Sequence, residues 1–409
     1  MQASTPQAPL NQGTIQQVSM PEIDFDNIEI AFGGKSDRSI RRAYWLFRLI
    51  GYSTLVKAGT PLINLAIKMH LPVKGIIKAT IFRHFCGGEN ISECTKTVEK
   101  LYSRGIGSIL DYSVEGRELE DDFENTCKEI LATVSRAKGD PMIPFCVFKV
   151  TGIARFALLE KISSSSILDN DEIKEAALIR SRVERICDAA AKNSVCIFID
   201  AEESWIQPAI DSLAGDMMKK FNLSSPIVFN TVQLYRTDRL DFLKKEIGKA
   251  AAENYFLGMK LVRGAYMEKE RERAATMNYS DPIQPDKEAC DSDYDKAMMV
   301  CLEHIDRVAF CAGTHNEKSS RLLAETMAVK NIAFNHPHVY FSQLLGMSDH
   351  ISYNLSKAGF NVSKYVPYGP VEAVMPYLFR RAAENTSIAG QTSREMGLIT
   401  REMKRRKLL

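Results

Sequence analysis

From about residue 105 onward the chain repeats one pattern: a short apolar run, a polar residue at its end, then a longer stretch with charges at helical intervals. The runs are Gly107–Tyr112, Ile143–Lys149, Val195–Asp200, Ile227–Gln233, Phe256–Val262, Val308–Thr314, Val339–Gln343 and Phe360–Tyr365. Short uninterrupted apolar runs mark strands buried on both faces, as in a parallel sheet. The segments between them, such as Leu119–Ala137, Glu172–Lys192 and Lys318–Lys330, are long enough for crossover helices. Eight such units over roughly 285 residues predict a (β/α)8 barrel. A doubly wound nucleotide-binding sheet is the competing arrangement, and it calls for G-x-G-x-x-G opening a helix. The nearest stretch, Gly105-Ile-Gly107-Ser-Ile-Leu110, lacks the third glycine and precedes a strand. The pattern therefore predicts an α/β chain whose residues 105–395 form the barrel.

Residues 36–104 read as helices that precede it, with Tyr44, Trp45, Phe47, Leu49 and Ile50 beside Arg38, Arg41 and Arg42. Packing onto the barrel is the expected use of their apolar face; lying on a membrane surface is the alternative. Residues 1–35 read as a disordered polar tail. The first twenty contain no Lys or Arg and no apolar stretch, so they match neither a secretory signal nor a mitochondrial presequence. Residues 396–409 read as a basic tail, either a solvated, frayed helix end or a contact with an anionic membrane surface.

Composition narrows the function. Fifty-three Lys+Arg against 51 Asp+Glu leave a net charge of +2, which argues against nucleic acid as a partner. No run of about 18 uncharged apolar residues appears, so no spanning helix is expected. Nine cysteines without a C-x-x-C pair, several inside apolar runs, read as reduced core residues. His336-Pro-His338 lacks accompanying carboxylates at helical spacing, and no metal is expected.

In a (β/α)8 barrel the active site lies at the carboxyl ends of the strands. The predicted ends deliver Lys149, Asp200, Gln233, Lys260 with Arg263, Thr314-His315-Asn316, Gln343 and Tyr365. Any one has a bland reading: Asp200 as a helix cap, His315 as a satisfied core histidine. Together they describe a polar mouth rich in neutral and cationic donors and poor in paired carboxylates. That set argues against glycoside hydrolysis, and neither G-x-S-x-G nor a P-loop is present. It suits a carboxylate, a phosphate or a flavin ring gaining negative charge. Beyond the last strand, Arg380 and Arg381 stand side by side on an apolar helix, about 100° apart. They either straddle one ligand, where a guanidinium fork suits a carboxylate, or form a solvated surface pair.

These residues resemble the proline dehydrogenase family. The resemblance rests on Asp200-Ala-Glu-Glu203, Val232-Gln233, Lys260-Leu-Val-Arg263-Gly-Ala-Tyr266, Gly313-Thr-His-Asn316, Phe341-Ser-Gln-Leu-Leu-Gly-Met347 and Tyr365…Arg380-Arg381…Glu384-Asn385, in order over about residues 80–390. The connection Tyr279-Ser-Asp-Pro-Ile-Gln-Pro285 is similar to the single-activity branch, and 409 residues leave no room for the second domain of the bifunctional proteins.

The resemblance implies a distorted (β/α)8 barrel that binds FAD without a covalent link, oxidises L-proline to Δ1-pyrroline-5-carboxylate and passes electrons to membrane quinone. It implies that Arg380, Arg381 and Lys149 hold the carboxylate and that Tyr365 packs on the proline ring. Tyr266 and Leu344 would line the pocket, and Asp200 would organise that wall. Glu115 would pair with Arg380 when the site closes. Gln233 and Lys260 would lie near the flavin N5, with Arg263, Thr314, His315 and Asn316 as further cofactor contacts. Lys260 departs from the bifunctional proteins, which carry Arg there, but agrees with the single-activity branch. The absence of a targeting peptide at the start of the sequence points to the cytoplasm or, peripherally bound, the cytoplasmic face of a bacterial inner membrane, and the branch resemblance makes the mitochondrial inner membrane the second choice. Hydroxyproline dehydrogenase, which carries a smaller residue at the place of Tyr365, is the nearest alternative. A Schiff-base lyase using Lys149 or Lys260 and a non-catalytic membrane scaffold are the others.

Overall fold

A computed structural model describes residues 22–51, 69, 73–114, 118–387 and 391–409. In it the eight apolar runs form one closed, all-parallel barrel. Strands β1 (Ile106–Tyr112), β2 (Phe145–Lys149), β3 (Cys196–Asp200), β4 (Val228–Gln233), β5 (Leu257–Val262), β6 (Val308–Gly313), β7 (Val339–Leu344) and β8 (Val362–Tyr368) pair in chain order, and β8 closes on β1. Every crossover is helical, as parallel neighbours require, and the doubly wound alternative is excluded. The helices Glu120–Ala137, Asn170–Asn193, Gln207–Phe221, Arg239–Glu253, Lys287–Glu303, Glu317–Val329 and Asp349–Lys357 ring the sheet. Seven bury apolar positions against it, which is what stabilises helices of this length in water.

The barrel interior is filled rather than hollow. Phe145 and Phe198 stack with ring centroids 4.5 Å apart, and Phe229 meets them edge-on at 5.6 and 5.4 Å. This aromatic layer confines the polar inward-facing residues to the strands' carboxyl ends.

Strand β8 departs from the expected end at Tyr365. Proline removes a ladder donor and reads as a stop signal, yet Pro367 stays in the strand, facing Asp111 of β1. Its carbonyl accepts the Gly87 N–H at 2.8 Å. Tyr365 is consequently not at the strand end: it points into the barrel, level with Ile109 and Leu344.

Both ends of the chain differ from the expected tails. Residues 1–21 lie outside the described residues, but the stretch from 22 to 35 is folded. Ile23 and Phe25 are buried in the main core, and Asn27 caps a short helix, Ile28–Phe32. Residues 396–409 belong mostly to a helix, Gln391–Arg405, and its basic residues are not simply solvated. Leu398, Ile399 and Met403 pack on Phe32, Ile40, Ala43 and Phe47. Buried Glu402 accepts from Arg405 and Arg406, Arg406 also donates to the carbonyls of Phe32 and Lys35, and Arg401 pairs with Asp26. The charges found acidic and carbonyl partners in the N-terminal segment, some 370 residues away. Between the ends, the helices Asp37–Ile50 and Ile91–Tyr102 pack inward, although Trp45 and Leu49 stay exposed.

The helix after β8, Met375–Ser387, carries Met375, Tyr377, Leu378 and Ala382 into a second apolar cluster with Phe82, Phe85 and Met347. Leu344 belongs to both this cluster and the barrel interior, which places the helix beside the barrel mouth.

Candidate active site

Three strands meet at the centre of the mouth. Lys260 of β5 donates through Nζ to Oδ1 of Asp200 at the end of β3, and to Oη of Tyr365 on β8 at 2.6 Å. The ammonium lies 4.7 Å from the Tyr365 ring centroid, in the geometry of a cation–π contact. Burial and the Asp200 carboxylate push the Tyr365 phenol well above its ordinary range, so it remains protonated. Lys149 closes β2 in register with Asp200. Asp111 of β1 belongs to the same group: burial and Asp200 raise its carboxyl, and Lys149 and Lys260 oppose them.

One wall joins the loops after β2, β3 and β4. Gln233 closes β4, is 3% exposed, and donates through Nε2 to the Glu202 carbonyl at 2.6 Å. The buried Glu202 carboxylate accepts the Thr151 N–H at 3.0 Å and the Thr151 hydroxyl. Burial pushes it up to about 7, against the pull of Lys149 and Thr151. Tyr266 sits on the same side. Burial pushes its phenol up to about 12, and Lys149, Glu202, Glu203 and Arg380 all act on it.

The β5–β6 side is built around Arg263. Its Nε donates to Asp291 at 2.6 Å, Nη1 to Thr314 Oγ1 at 2.7 Å and Nη2 to Ser319 Oγ at 3.0 Å, with the guanidinium over the Tyr294 ring. His315 meets Ser348 Oγ through Nδ1 at 2.9 Å. Burial, reinforced by Lys364 and Arg381, pushes it down to about 3, so the ring is neutral at physiological pH. Asn316 caps the helix Glu317–Val329, its Oδ1 accepting the N–H groups of Lys318 and Ser319. Gln343 is spent on structure, donating to the Thr314 carbonyl and accepting from Ser352.

The two arginines face different walls. Arg380 acts on Tyr266, whereas Arg381, 7% exposed and 5.2 Å from the Tyr377 ring, acts on His315. Arg381 is therefore buried beside Tyr377 and is not half of a solvated surface pair. Glu115 lies outside the described residues.

Asp111, Glu202 and Ser348 were not anticipated. Asp111 was readable as the polar residue near the end of the first apolar run; Glu202 lies in the Asp200-Ala-Glu-Glu203 stretch but its role there was not, and Ser348 sits in a loop whose pattern carries no signal.

A closed parallel barrel with its ionisable and hydrogen-bonding residues gathered at the strands' carboxyl ends is the architecture of a TIM-barrel enzyme. The family model described as proline dehydrogenase matches residues 94–394, and the chain belongs to that oxidoreductase family. The protein CarD of Pectobacterium carotovorum, named for carbapenem antibiotic biosynthesis, is 33% identical over 79% of this chain and 83% of its own. Mitochondrial proline dehydrogenase 1 of Dictyostelium discoideum is 30% identical over 94% of this chain and 75% of its own. A Xenopus laevis hydroxyproline dehydrogenase is 31% identical over 91% and 88%. Among solved structures, proline utilization A of Bdellovibrio bacteriovorus shares the fold, with a TM-score of 0.68 and 18% identity. That match covers 90% of this chain and 37% of the larger protein.

Proposed function

We propose that the chain oxidises L-proline to Δ1-pyrroline-5-carboxylate with FAD held at the strand ends, and that the electrons leave to a membrane quinone. The observation that carries the reading is the Lys260–Asp200–Tyr365 cluster in the mouth of a family barrel whose final mouth helix carries Arg380 and Arg381.

The donor set fits a flavin. Lys260, Arg263, Gln233 and the neutral His315 lie on the β4–β7 side, while Asp111 and Asp200 lie on β1 and β3. Cationic and neutral donors beside the isoalloxazine would favour negative charge developing on it. Gln233 and Lys260 would hold the ring, and Arg263, Thr314, His315 and Asn316 the remainder of the cofactor. Bound there, FAD supplies the hydride acceptor at N5.

The chain's own work is orientation and charge. Arg380 and Arg381, with Lys149, bind the proline carboxylate from two sides, and this fixes C5 at near-attack distance. Tyr365 packs on the ring, Tyr266 and Leu344 line the pocket, and Asp200 fixes Lys260 and Tyr365. The C5–H bond breaks with its electron pair leaving as hydride, the amine loses a proton, and C5=N forms. A mouth crowded with cations favours the uncharged amine that this step requires.

Two alternatives weaken on particular observations. Lys260 is engaged by both Asp200 and Tyr365, which disfavours it as a Schiff-base amine. Tyr365, stacked over Phe198 with ring centroids 6.4 Å apart, is a bulky residue at the place where the resemblance expects a smaller one in hydroxyproline dehydrogenase, and this favours proline. Among the described residues no helix is long and apolar enough to cross a membrane. Exposed Trp45 and Leu49 beside Arg48 suit a peripheral contact with a quinone-bearing membrane. Relatives named mitochondrial support a mitochondrial location, and the Pectobacterium relative a bacterial one.

The test is turnover of L-proline with a soluble quinone analogue, the pyrroline product being trapped by an aromatic aminoaldehyde. Product formed in step with quinone reduction supports the reading; quinone reduced only by trans-4-hydroxyproline would shift it to that substrate, and neither would overturn it.

A further inference from the structure

Between β7 and the helix Asp349–Lys357, Ser348 adopts a left-handed backbone, φ 49° and ψ 43°. A residue with a side chain holds that conformation only when its surroundings impose it. Here the imposition is explicit. The Ser348 N–H donates to the Glu395 carboxylate, and its carbonyl accepts the N–H groups of Ile351 at 3.0 Å and Ser352 at 3.1 Å. Glu395 is 4% exposed and belongs to the last helix, Gln391–Arg405, which lies outside the barrel. Its neighbour Arg394 grips Glu317, at the start of the helix after β6, through Nε at 2.8 Å and Nη2 at 3.2 Å. Glu317 also meets His350 Nε2 at 2.9 Å. Two consecutive residues of the last helix thus hold the loops that carry His315 and Ser348.

A count of protons gives this clamp a chemical consequence. Ser348 is fully buried, and among the described residues its hydroxyl has one partner, Nδ1 of His315. A hydroxyl carries one proton to donate, and a buried donor left unpaired is costly. With the imidazole neutral, a proton on Nδ1 would orphan the hydroxyl proton; a bare Nδ1 accepts it. The ring proton then sits on Nε2, which makes no hydrogen bond among the described residues. We infer that Glu395 is a positioning residue for the mouth: by locking Ser348 it sets His315 in the Nε2–H form, so that the imidazole offers a hydrogen-bond donor to the flavin. This rests on the flavin reading above and assigns His315 a definite protonation.

The experiment uses the purified holoprotein labelled with 15N-histidine, the His315 ring signals being assigned by their loss in His315→Gln. The expected pattern is a neutral ring protonated on Nε2 between pH 6 and 8. Ser348→Gly keeps the left-handed turn and deletes the hydroxyl; Glu395→Ala deletes the clamp. Both should give a mixed tautomer signal, and FAD should dissociate about fivefold faster or more. Glu395→Gln retains an acceptor oxygen and should restore both properties. An Nδ1–H or charged ring in the native protein would overturn the inference, as would either Ser348→Gly or a folded Glu395→Ala with unchanged ring signals and FAD retention. If Glu395→Ala does not fold, Ser348→Gly decides alone. A protein that takes up no flavin would defeat the functional reading instead, and the tautomer would still be read directly.

Discussion

Lys260 and Tyr365 stand on β5 and β8, far apart around the barrel, yet the Lys260 ammonium donates to the Tyr365 hydroxyl at 2.6 Å and sits 4.7 Å from the ring centroid. The same ammonium is bonded to Asp200 on β3. One cation thereby ties three strands together, and the tyrosine is fixed both by its hydroxyl and through its ring face. A residue held at two points makes a rigid wall.

That rigidity predicts a steric sieve. Tyr365→Ser should raise kcat/KM for trans-4-hydroxyproline relative to L-proline by about tenfold, the scale of small-group discrimination by a pocket. Steady-state kinetics with both substrates checks it; an unchanged ratio would show that Tyr365 does not line the ring's far side.

Arg380 lies close enough to lower the Tyr266 phenol and Arg381 close enough to lower the His315 imidazole, so two guanidiniums are available to one carboxylate. Each should bind the carboxylate independently. Arg380→Ala and Arg381→Ala should each weaken proline binding by about 1.5–3 kcal/mol, read as a rise in KM, with the flavin-to-protein ratio unchanged. Normal proline kinetics in both variants would refute the carboxylate assignment.

Glu202 predicts a pH signature in stability. Burial raises its carboxyl from 4.5 to about 7 in the folded chain. Below pH 4.5 both folded and unfolded forms hold the proton, and no penalty exists. As pH rises, the unfolded form ionises first, and above 7 the folded state is worse off by up to about 3 kcal/mol. Glu202→Gln removes the titration, so its thermal midpoint relative to the native protein should be higher at pH 8 than at pH 4.5. A difference independent of pH would contradict the assignment.

The last helix predicts a structural effect at the chain's end. Leu398 is 1% exposed among Phe32, Ile40 and Phe47. Leu398→Ala should cost about 2–4 kcal/mol and lower the thermal midpoint by several degrees; an unchanged midpoint would show that the helix does not carry core packing.

The barrel was legible because strands buried on both faces leave continuous apolar runs, and eight of them with helix-length intervals admit few arrangements. Strand-end chemistry was legible for the same reason: Lys149, Asp200 and Gln233 each close such a run. Other features were hidden by the local character of the signals. The last apolar run was read only to Tyr365, yet β8 continues through Pro367, where neighbouring strands and Gly87 accommodate the proline. Residues 396–409 read as a solvated tail because the partners of Arg401 and Arg406, namely Asp26, Asp37 and the carbonyls of Phe32 and Lys35, lie at the other end of the chain. Asn316 illustrates a dual reading: its Oδ1 is committed to capping a helix, a role that its place in Thr-His-Asn did not reveal. Glu202 and Ser348 sit in loops, and Glu395 reaches Ser348 from a helix 47 residues on; contacts so distant in sequence leave no periodic trace.

The most direct measurement is the visible spectrum of the purified protein before and after anaerobic addition of L-proline. The account predicts the absorption of oxidised flavin in the native protein and its bleaching by L-proline, with recovery when a quinone is added. A protein that neither holds nor takes up flavin, or whose flavin band is indifferent to L-proline, would contradict it.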